Sequence, residues 1–417
     1  MQRKFLGSFK RPLRARRLSW VQTSATSLAL GSVIVALLLR TSVIAASTDP
    51  GGPNPVTLGE KIFSDAGLSA SGAMSCATCH DPSHAHAQSN DRSVQLGGPH
   101  LDVPGFRAVP SLQYSSFMPA FGIASDGTPC GGFNRDGRAK DLLVQALRPL
   151  FAEHAMGNAT PADLVARLAK APYASEFRQV FGQNIVEDEQ GTVLAVTFAH
   201  AQYQKLDPDF RPFNSKYDLF LAGKLRVAPA ELRGLALFNR ADKGNCAACH
   251  PRGRGPGGSP PMCTDFTYDN LGVPRNAQIP ANLDPDYRDM GLCGPERTDL
   301  ADHPDLCGAF KVPTLRNVAT RQVFFHNGQF KTLRDALRFY VRRDTNPEEF
   351  YPVDADGVAQ KFNDLPVELS GNVHTVEVPY DRLLGETPRL ADAELEDLEA
   401  FLNTLTDGYQ PAVAATR

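Results

Sequence analysis

The sequence has no excess of positive charge, few strand-like patterns and a single tryptophan. Forty-three Lys and Arg residues face 46 Asp and Glu, so the net charge at pH 7 is −3. A basic surface of the kind that attracts nucleic acid is therefore not expected, and we predict no nucleic-acid partner. Alternating patterns typical of strands are sparse and short. The one tryptophan, Trp20, lies among the first 46 residues.

Helical patterns, by contrast, are frequent. Apolar residues recur at helical spacing, and the 34 Gly and 32 Pro indicate long irregular connections between helices. With 417 residues the chain is long for one domain and comfortable for two. We predict a mostly α fold. The clearest helical segments are 140–151, 161–172, 332–343 and 392–405.

The first 46 residues have the pattern of a secretory signal peptide. A strongly basic stretch precedes the apolar run Ser27–Leu39, and Val43-x-Ala45 matches a cleavage site. The alternative is a lasting anchor in the inner membrane, since Val21–Leu39 is nearly long enough to span a bilayer. Either interpretation predicts that the rest of the chain is exported to the periplasm.

Two C-x-x-C-H motifs carry four of the eight cysteines, as SCATCH at 75–80 and NCAACH at 245–250. A disulfide within C-x-x-C would be strained, and a zinc site needs four ligands at closer spacing than these distant motifs offer. C-x-x-C-H is typical of covalent c-type haem attachment, in which two thiols bind the haem and the histidine binds iron. Each motif follows a helical run. The sequence therefore predicts two covalently bound haem c groups.

A weak internal repeat accompanies the motifs. Gly59 and Phe63 precede the first motif in the same pattern in which Gly234 and Phe238 precede the second. We therefore predict two tandem cytochrome c-like haem domains with long irregular loops, over residues 50–215 and 216–410.

The other four cysteines can pair in three ways. Cys293 and Cys307 lie in one Pro- and Asp-rich loop, and a local disulfide between them is the simplest expectation. Cys130 and Cys263 lie in Gly- and Pro-rich loops of the two halves, and a disulfide there would connect the domains. The alternative is two free thiols.

Several further segments resemble the bacterial dihaem cytochrome c peroxidase and MauG superfamily. The resemblance covers residues 58–409 and rests on the two haem motifs with FNRDGRAKDL, VPTLRNVATRQVFFHNGQFKTLRDALRFY and LEAFLNTL. VQLGG, RAVPSL, CTDFTYDNLGVPRN, GLCGP and VRRDTNPEEFYP resemble a MauG-like branch that includes the methanobactin-associated dihaem enzyme. The resemblance implies a two-domain, mostly helical protein in which one haem reacts with peroxide and the other stores or relays electrons.

The resemblance also implies iron ligands. His80 would bind the N-terminal haem iron, and His250 the C-terminal haem iron. Peroxidases of the family place a methionine eight residues after the Thr that opens the helix following FFHNG. The same count from Thr332 reaches Tyr340, which we expect to ligate the C-terminal iron opposite His250. His326, in FFHNG, is expected near that haem in a hydrogen-bonding role. From its position alone, Tyr340 could equally be a half-buried packing residue of an amphipathic helix.

Two departures from the family pattern concern catalysis. The tryptophan that lies between the haems in the family corresponds to Arg135. The glutamate that assists cleavage of the peroxide O–O bond corresponds to Ala155. Glu153 and His154 are close in sequence and are candidate acid–base groups, because such a group must lie within hydrogen-bond reach of the peroxide.

Further positions concern possible metal sites. His100 occupies the position of a loop histidine that caps the N-terminal haem in some relatives, and the alternative is an exposed loop residue. His84 and His86 lack such a register and are expected at the surface. Many relatives hold calcium between the domains. Its asparagine and threonine positions are Ala108 and Arg321 here, so calcium is not predicted.

Two function classes follow from these features. The first is a peroxide-dependent oxidoreductase that takes electrons from a small cytochrome or cupredoxin, or oxidises a protein substrate as MauG-like enzymes do. The second is an electron-transfer dihaem cytochrome with little or no peroxidase activity, favoured by the missing tryptophan and glutamate. The retained haem motifs and the position of Tyr340 favour the first.

Overall fold

The computed structural model describes residues 52–411 of the chain. The signal peptide expected over residues 1–46 lies outside the described residues. Within that described part, none of the helices is both long and apolar enough to cross a membrane.

Helices far outnumber strands in the described residues, so the prediction of a helix-rich fold is confirmed. The ten α-helices between residues 52 and 411 are α1 (Pro55–Ser64), α2 (Cys76–Cys79), α3 (Leu142–Phe151), α4 (Pro161–Leu168), α5 (Ala174–Phe181), α6 (Glu189–Leu206), α7 (Lys216–Leu221), α8 (Pro229–Asn239), α9 (Leu333–Arg342) and α10 (Asp392–Asn403). The predicted helical segments correspond to α3, α4, α9 and α10.

Strands in the same part of the chain are short and pair within or between loops. They form three two-stranded antiparallel sheets. The pairs are β1 (Leu96–Gly97) with β2 (Val103–Pro104), β3 (Gly122–Ile123) with β4 (Pro129–Cys130), and β5 (Tyr268–Asp269) with β6 (Phe310–Lys311).

The N-terminal half is built around the crossing of α1 and α6. Asn54 caps α1 by accepting hydrogen bonds from the backbone N–H groups of the first turn. A Cβ atom on Gly59 would lie only 2.2 Å from the carbonyl oxygen of Ala199 on α6. Glycine at this position therefore permits the close contact that buries Leu58 and Phe63 completely.

The C-terminal half repeats this arrangement with α8 and α10. A Cβ atom on Gly234 would lie 1.8 Å from the carbonyl oxygen of Asp397 on α10. Phe238, four residues later, is almost fully buried against Phe401. The glycines and phenylalanines of the sequence repeat thus play the same packing roles in both halves.

The two halves also contact each other. Arg107 donates from Nε and Nη2 to the carboxylate of Asp289, both at 2.6 Å, and Tyr114 donates to Asp407 at 2.6 Å. No internal boundary divides the described residues into separate compact units. The division into domains at residues 215 and 216 stays a prediction.

One of the two disulfides expected from the sequence forms. Cys293 and Cys307 are bonded, with Cα atoms 4.9 Å apart, in the Pro- and Asp-rich loop. The expected Cys130–Cys263 disulfide is wrong, because both residues are free thiols. Cys263 is buried in the core of the C-terminal half, whereas the Cys130 sulfur lies near the carbonyl oxygen of Asp265. The side chains of Cys130 and Cys263 therefore lie in different surroundings.

Candidate haem sites

The N-terminal C-x-x-C-H motif forms one short helix, α2. The backbone N–H of Ser75 donates to the Thr78 hydroxyl at 2.9 Å, and the N–H of His80 returns to the Cys76 carbonyl at 2.9 Å. This single turn brings the two thiols to one side of the helix. Burial raises the pKa of Cys76 to about 12 and that of Cys79 to about 11, so both are neutral thiols at pH 7.

His80 is held in one orientation by backbone carbonyls. Its Nδ1 lies 3.1 Å from the carbonyl oxygen of Pro110 and 3.3 Å from that of His86. The tautomer with a proton on Nδ1 satisfies these contacts and leaves Nε2 for a metal. Burial lowers the pKa of His80 to about 4, which keeps the imidazole neutral, as metal binding requires.

A cavity adjoins His80 and both thiols of the N-terminal motif. Helices α3 and α6 form its other walls, with Gln145, Ala155 and His200 among the residues that line it. Ala155 therefore lies at the cavity, where the family count placed the missing glutamate. No carboxylate is among the residues that line this cavity in the described chain.

Three candidate residues for this site lie elsewhere. Glu153 is exposed, and His154 packs against Phe106 with ring centroids 4.9 Å apart. His100 is exposed in its loop. None of the three lines the N-terminal cavity, so their proposed roles in acid–base chemistry and iron binding stay predictions without a supporting contact.

Two buried histidines near this cavity were not recognised from the sequence. His200 lines it and stacks on Phe63, with Nδ1 3.0 Å from Gln204 and Nε2 unbonded. The expectation of a surface position for His86 is wrong, because it is 1% exposed and packs against Phe210 at 4.0 Å. Neither the long buried helix α6 nor the loop of His86 carries a periodic pattern that marks these residues.

The C-terminal motif ends in the same backbone hydrogen bond as the N-terminal motif, but its cysteines lie on a different kind of turn. Residues Cys246–Ala248 form a 3₁₀ turn after Asn245, whose φ of 51° is left-handed. The N–H of His250 again returns to the first cysteine carbonyl, that of Cys246, at 2.9 Å. His250 Nδ1 lies 2.9 Å from the Cys263 carbonyl oxygen, which leaves Nε2 for a metal, and burial lowers the pKa of His250.

Tyr340 borders the cavity that also adjoins His250 and the C-terminal thiols. It lies on α9, which begins after its N-cap Thr332, and its ring centroid is 5.7 Å from that of Phe325. Burial, with the nearby Asp269 carboxylate, raises the pKa of the Tyr340 phenol, so a phenolate here needs a metal to stabilise it. The hydroxyl has no hydrogen-bond partner among residues 52–411.

His326 borders the same cavity. It stacks on Phe310 with ring centroids 3.6 Å apart and an interplanar angle of 5°, and its Nε2 is unbonded. Burial lowers its pKa to about 3. The structure thus brings His250, Tyr340 and His326 to one cavity, in agreement with the sequence-based grouping, although their individual roles remain untested.

The two cavities adjoin, since Leu112 and Gln145 line both. Arg135, which stands at the tryptophan position of the family motif, borders the larger cavity and donates from Nε to the Ala108 carbonyl at 2.9 Å. A guanidinium therefore borders this cavity at the position where the family motif has an indole.

Both motifs fit a covalently bound haem. Each offers two neutral thiols on one turn, an oriented imidazole with a free Nε2, and an adjoining cavity. Within residues 52–411, no three His, Cys, Asp or Glu side chains cluster as a metal site built from protein ligands would require.

Comparisons with known proteins point in the same direction. Residues 53–226 match the family described as di-haem cytochrome c peroxidase. The chain is 32% identical over 397 residues to methylamine utilization protein MauG of Paracoccus denitrificans, covering 92% of this chain and 96% of that protein. The structure is similar to the diheme peroxidase BthA of Burkholderia thailandensis, with a TM-score of 0.78, 35% identity and 88% of each chain covered.

A third similarity concerns the fold alone. A MauG-like protein associated with microbial copper homeostasis aligns with a TM-score of 0.60 and 24% identity, over 85% of this chain and 89% of that one.

Proposed function

Because the chain belongs to the dihaem cytochrome c peroxidase and MauG family, whose members are oxidoreductases acting on peroxide, we propose that it couples reduction of hydrogen peroxide to oxidation of a protein partner. The observation that carries this proposal is the asymmetry between the two motifs. Both provide an oriented imidazole, but of the two cavities only the C-terminal one is lined by tyrosines, among them Tyr340.

In this proposal each haem c is held by one motif. Cys76 and Cys79 bind the first through thioether bonds, and Cys246 and Cys249 bind the second. Bound haem iron supplies the redox chemistry, accepting and donating electrons between peroxide and the protein partner. The neutral imidazoles of the two motifs would hold iron through Nε2, while the backbone carbonyls on Nδ1 keep the rings in place.

The remaining residues give the two sites different roles in this proposal. Tyr340 would hold the C-terminal haem through its oxygen, and as a hard anionic donor it would favour higher oxidation states than a thioether does. The N-terminal cavity has an alanine where an acid would stand, which would leave room for peroxide there. His326 orders the C-terminal site by stacking on Phe310.

The partner is a small cytochrome or cupredoxin that donates electrons, or a protein substrate that is oxidised. The similarity to MauG over nearly the whole chain and the Tyr340 position support the protein substrate. The similarity to the peroxidase BthA supports an electron donor. We propose a periplasmic location after removal of residues 1–46, with a retained inner-membrane anchor as the alternative.

A second candidate function is electron transfer between partners without peroxide chemistry. The absence of a carboxylate from the N-terminal cavity favours it, because cleavage of the O–O bond needs a proton delivered to the leaving oxygen.

The deciding experiment adds hydrogen peroxide to the purified holoprotein. Oxidation of reduced cytochrome c or reduced cupredoxin, two electrons and two protons for each peroxide, would support the peroxidase. With no donor present, haem absorbance changes that persist until a candidate protein substrate is added would support the MauG-like function. A holoprotein with two haems whose spectrum and donor oxidation do not respond to peroxide would leave the electron-transfer cytochrome.

A further inference from the structure

Three half-buried cations in the described part of the chain have no carboxylate partner. Arg135, Lys311 and Arg321 all border the larger cavity. Within residues 52–411, none of them forms a salt bridge, although Arg107 and Arg138, close by, do so with Asp136. Some cations of this region therefore pair with a carboxylate, whereas these three have no counter-ion among the described residues.

The three side chains are held by backbone carbonyls alone. Arg135 donates from Nε to Ala108, and Arg321 donates from Nη2 to Val109 at 3.0 Å and from Nε to Val323 at 3.2 Å.

Lys311 donates from Nζ to the Gly132 carbonyl. Both terminal nitrogens of Arg135 and Nη1 of Arg321 have no acceptor in the described part of the chain. Donors that border a cavity and lack acceptors are suited to binding an anion from within it.

The cations also lie close to one another and to the N-terminal motif. Arg135, Arg321 and His80 contact the carbonyl oxygens of three consecutive residues, which are Ala108, Val109 and Pro110 in that order. The backbone N–H of Lys311 donates to the carbonyl of Arg135 at 2.9 Å. The three cations therefore form a cluster that begins beside His80 and borders the larger cavity.

A charge without a counter-ion becomes costly once a bound group fills the cavity and excludes water from it, so this cluster implies an anion in the functional protein. The nearest carboxylates are already engaged, because Asp136 and Asp289 both bind Arg107. Two haem groups would bring four propionate carboxylates, the anions that the proposed cofactors themselves carry.

We propose that Arg135, Arg321 and Lys311 form a shared binding site for the propionate carboxylates of the two bound haem groups. The proposal rests on the haem content of the proposed function but not on its peroxide chemistry. Guanidinium groups suit this role because they bind carboxylates through paired hydrogen bonds and remain charged when buried. The site keeps propionates ionised and sets the reduction potentials of the two haems.

The test uses the holoprotein with Arg135→Gln, Arg321→Gln and Lys311→Gln, each made singly. Haem content is measured by pyridine haemochrome, and midpoint reduction potentials by spectroelectrochemical titration between pH 6 and 9. Loss of a nearby cation favours the more positive ferric state, so the potential of at least one haem should fall. The released propionate should titrate at higher pH, so the potential should also become pH-dependent in this window.

Arg226→Gln is the matched control, since Arg226 is exposed and the charge change is identical. Arg135→Lys keeps the charge and should keep most of the potential, which separates charge from packing. Variants with two haems whose potentials and pH dependence equal those of the control would overturn the proposal. So would equal shifts in Arg135→Lys and Arg135→Gln, or potentials that follow added chloride or phosphate, which would indicate a free anion. Wild-type protein without haem would instead refute the proposed function.

Discussion

The two C-x-x-C-H sites have similar local geometry, but the cavities that adjoin them are lined by different residues. In both, the histidine N–H returns to the first cysteine carbonyl, and a carbonyl oxygen holds Nδ1. The N-terminal cavity then offers Ala155 and the unbonded Nε2 of His200. The C-terminal cavity offers the phenol of Tyr340.

The difference teaches that the attachment motif and the reactivity are separate properties of the chain. The motif needs about one helical turn, and either an α-helix or a 3₁₀ turn provides it. The residues that line each cavity opposite the motif come from helices far away in sequence, α3 and α6 in one half and α9 in the other. We therefore expect an iron open to peroxide in the first site and a closed one in the second.

The largest expected effect comes from removing the thiols of one site. Cys246→Ala combined with Cys249→Ala should leave one haem per chain, because no thioether bond can form there, and the matched pair at Cys76 and Cys79 should leave the other. Pyridine haemochrome assay and haem staining of a denaturing gel measure this. Cys130→Ala, a free thiol outside both motifs, should keep two haems. Bound zinc without haem in the native protein would contradict the prediction.

The next test removes the feature that distinguishes the C-terminal site. Tyr340→Phe keeps the ring packing but deletes the oxygen that we propose to bind iron, so the low-spin ferric signal of that haem should be lost in electron paramagnetic resonance. Tyr380→Phe is the control, since Tyr380 borders the same cavity and its ring lies 6.5 Å from that of Tyr340. An unchanged signal in Tyr340→Phe would mean that the residue serves packing alone.

A third change adds to the N-terminal site what it lacks. Ala155→Glu places a carboxyl in the cavity, and a positioned acid contributes about 10²–10⁴-fold to such a step, so peroxidase turnover should rise toward that range. Steady-state oxidation of a reduced donor measures it, with Ala155→Gln as the control for volume.

The native turnover should accordingly be weak, and changing Glu153 and His154 together to Ala should leave it unaltered, because neither lines the cavity. A native enzyme as fast as the Ala155→Glu variant would show that another group delivers the proton to peroxide. His200, whose Nε2 is unbonded, is then the residue to examine.

The smallest expected effect concerns a crosslink that only the C-terminal half contains. Cys293→Ser with Cys307→Ser opens a loop with a sequence separation of 14 residues. Chain entropy for a loop of this length predicts a loss of about 3 kcal/mol in the free energy of unfolding. Denaturant unfolding followed at the C-terminal haem measures it. Equal losses in wild-type protein treated with a reductant would support the assignment, whereas unchanged stability would refute it.

Much of the candidate site could be predicted because its signals are local or lie at fixed counts from a motif. The positions of Ala155 and Tyr340 followed from such counts, and both border the expected cavities. The burial of His86 could not be predicted, because Phe210, which covers it, is distant in sequence. The Cys130–Cys263 disulfide failed for the same reason, since the direction of each side chain depends on core packing.

The sequence by itself determined the haem motifs, the helical character and the local Cys293–Cys307 crosslink, because these depend on spacing within a few residues or one loop. The tertiary structure alone decided how the imidazoles are held and where the unpaired cations meet. The carbonyl of Pro110 that holds His80 lies 30 residues away along the chain, and Val109, which accepts from Arg321, lies 212 residues from it. Contacts over such separations arise from the packing of helices and loops, which no short pattern encodes.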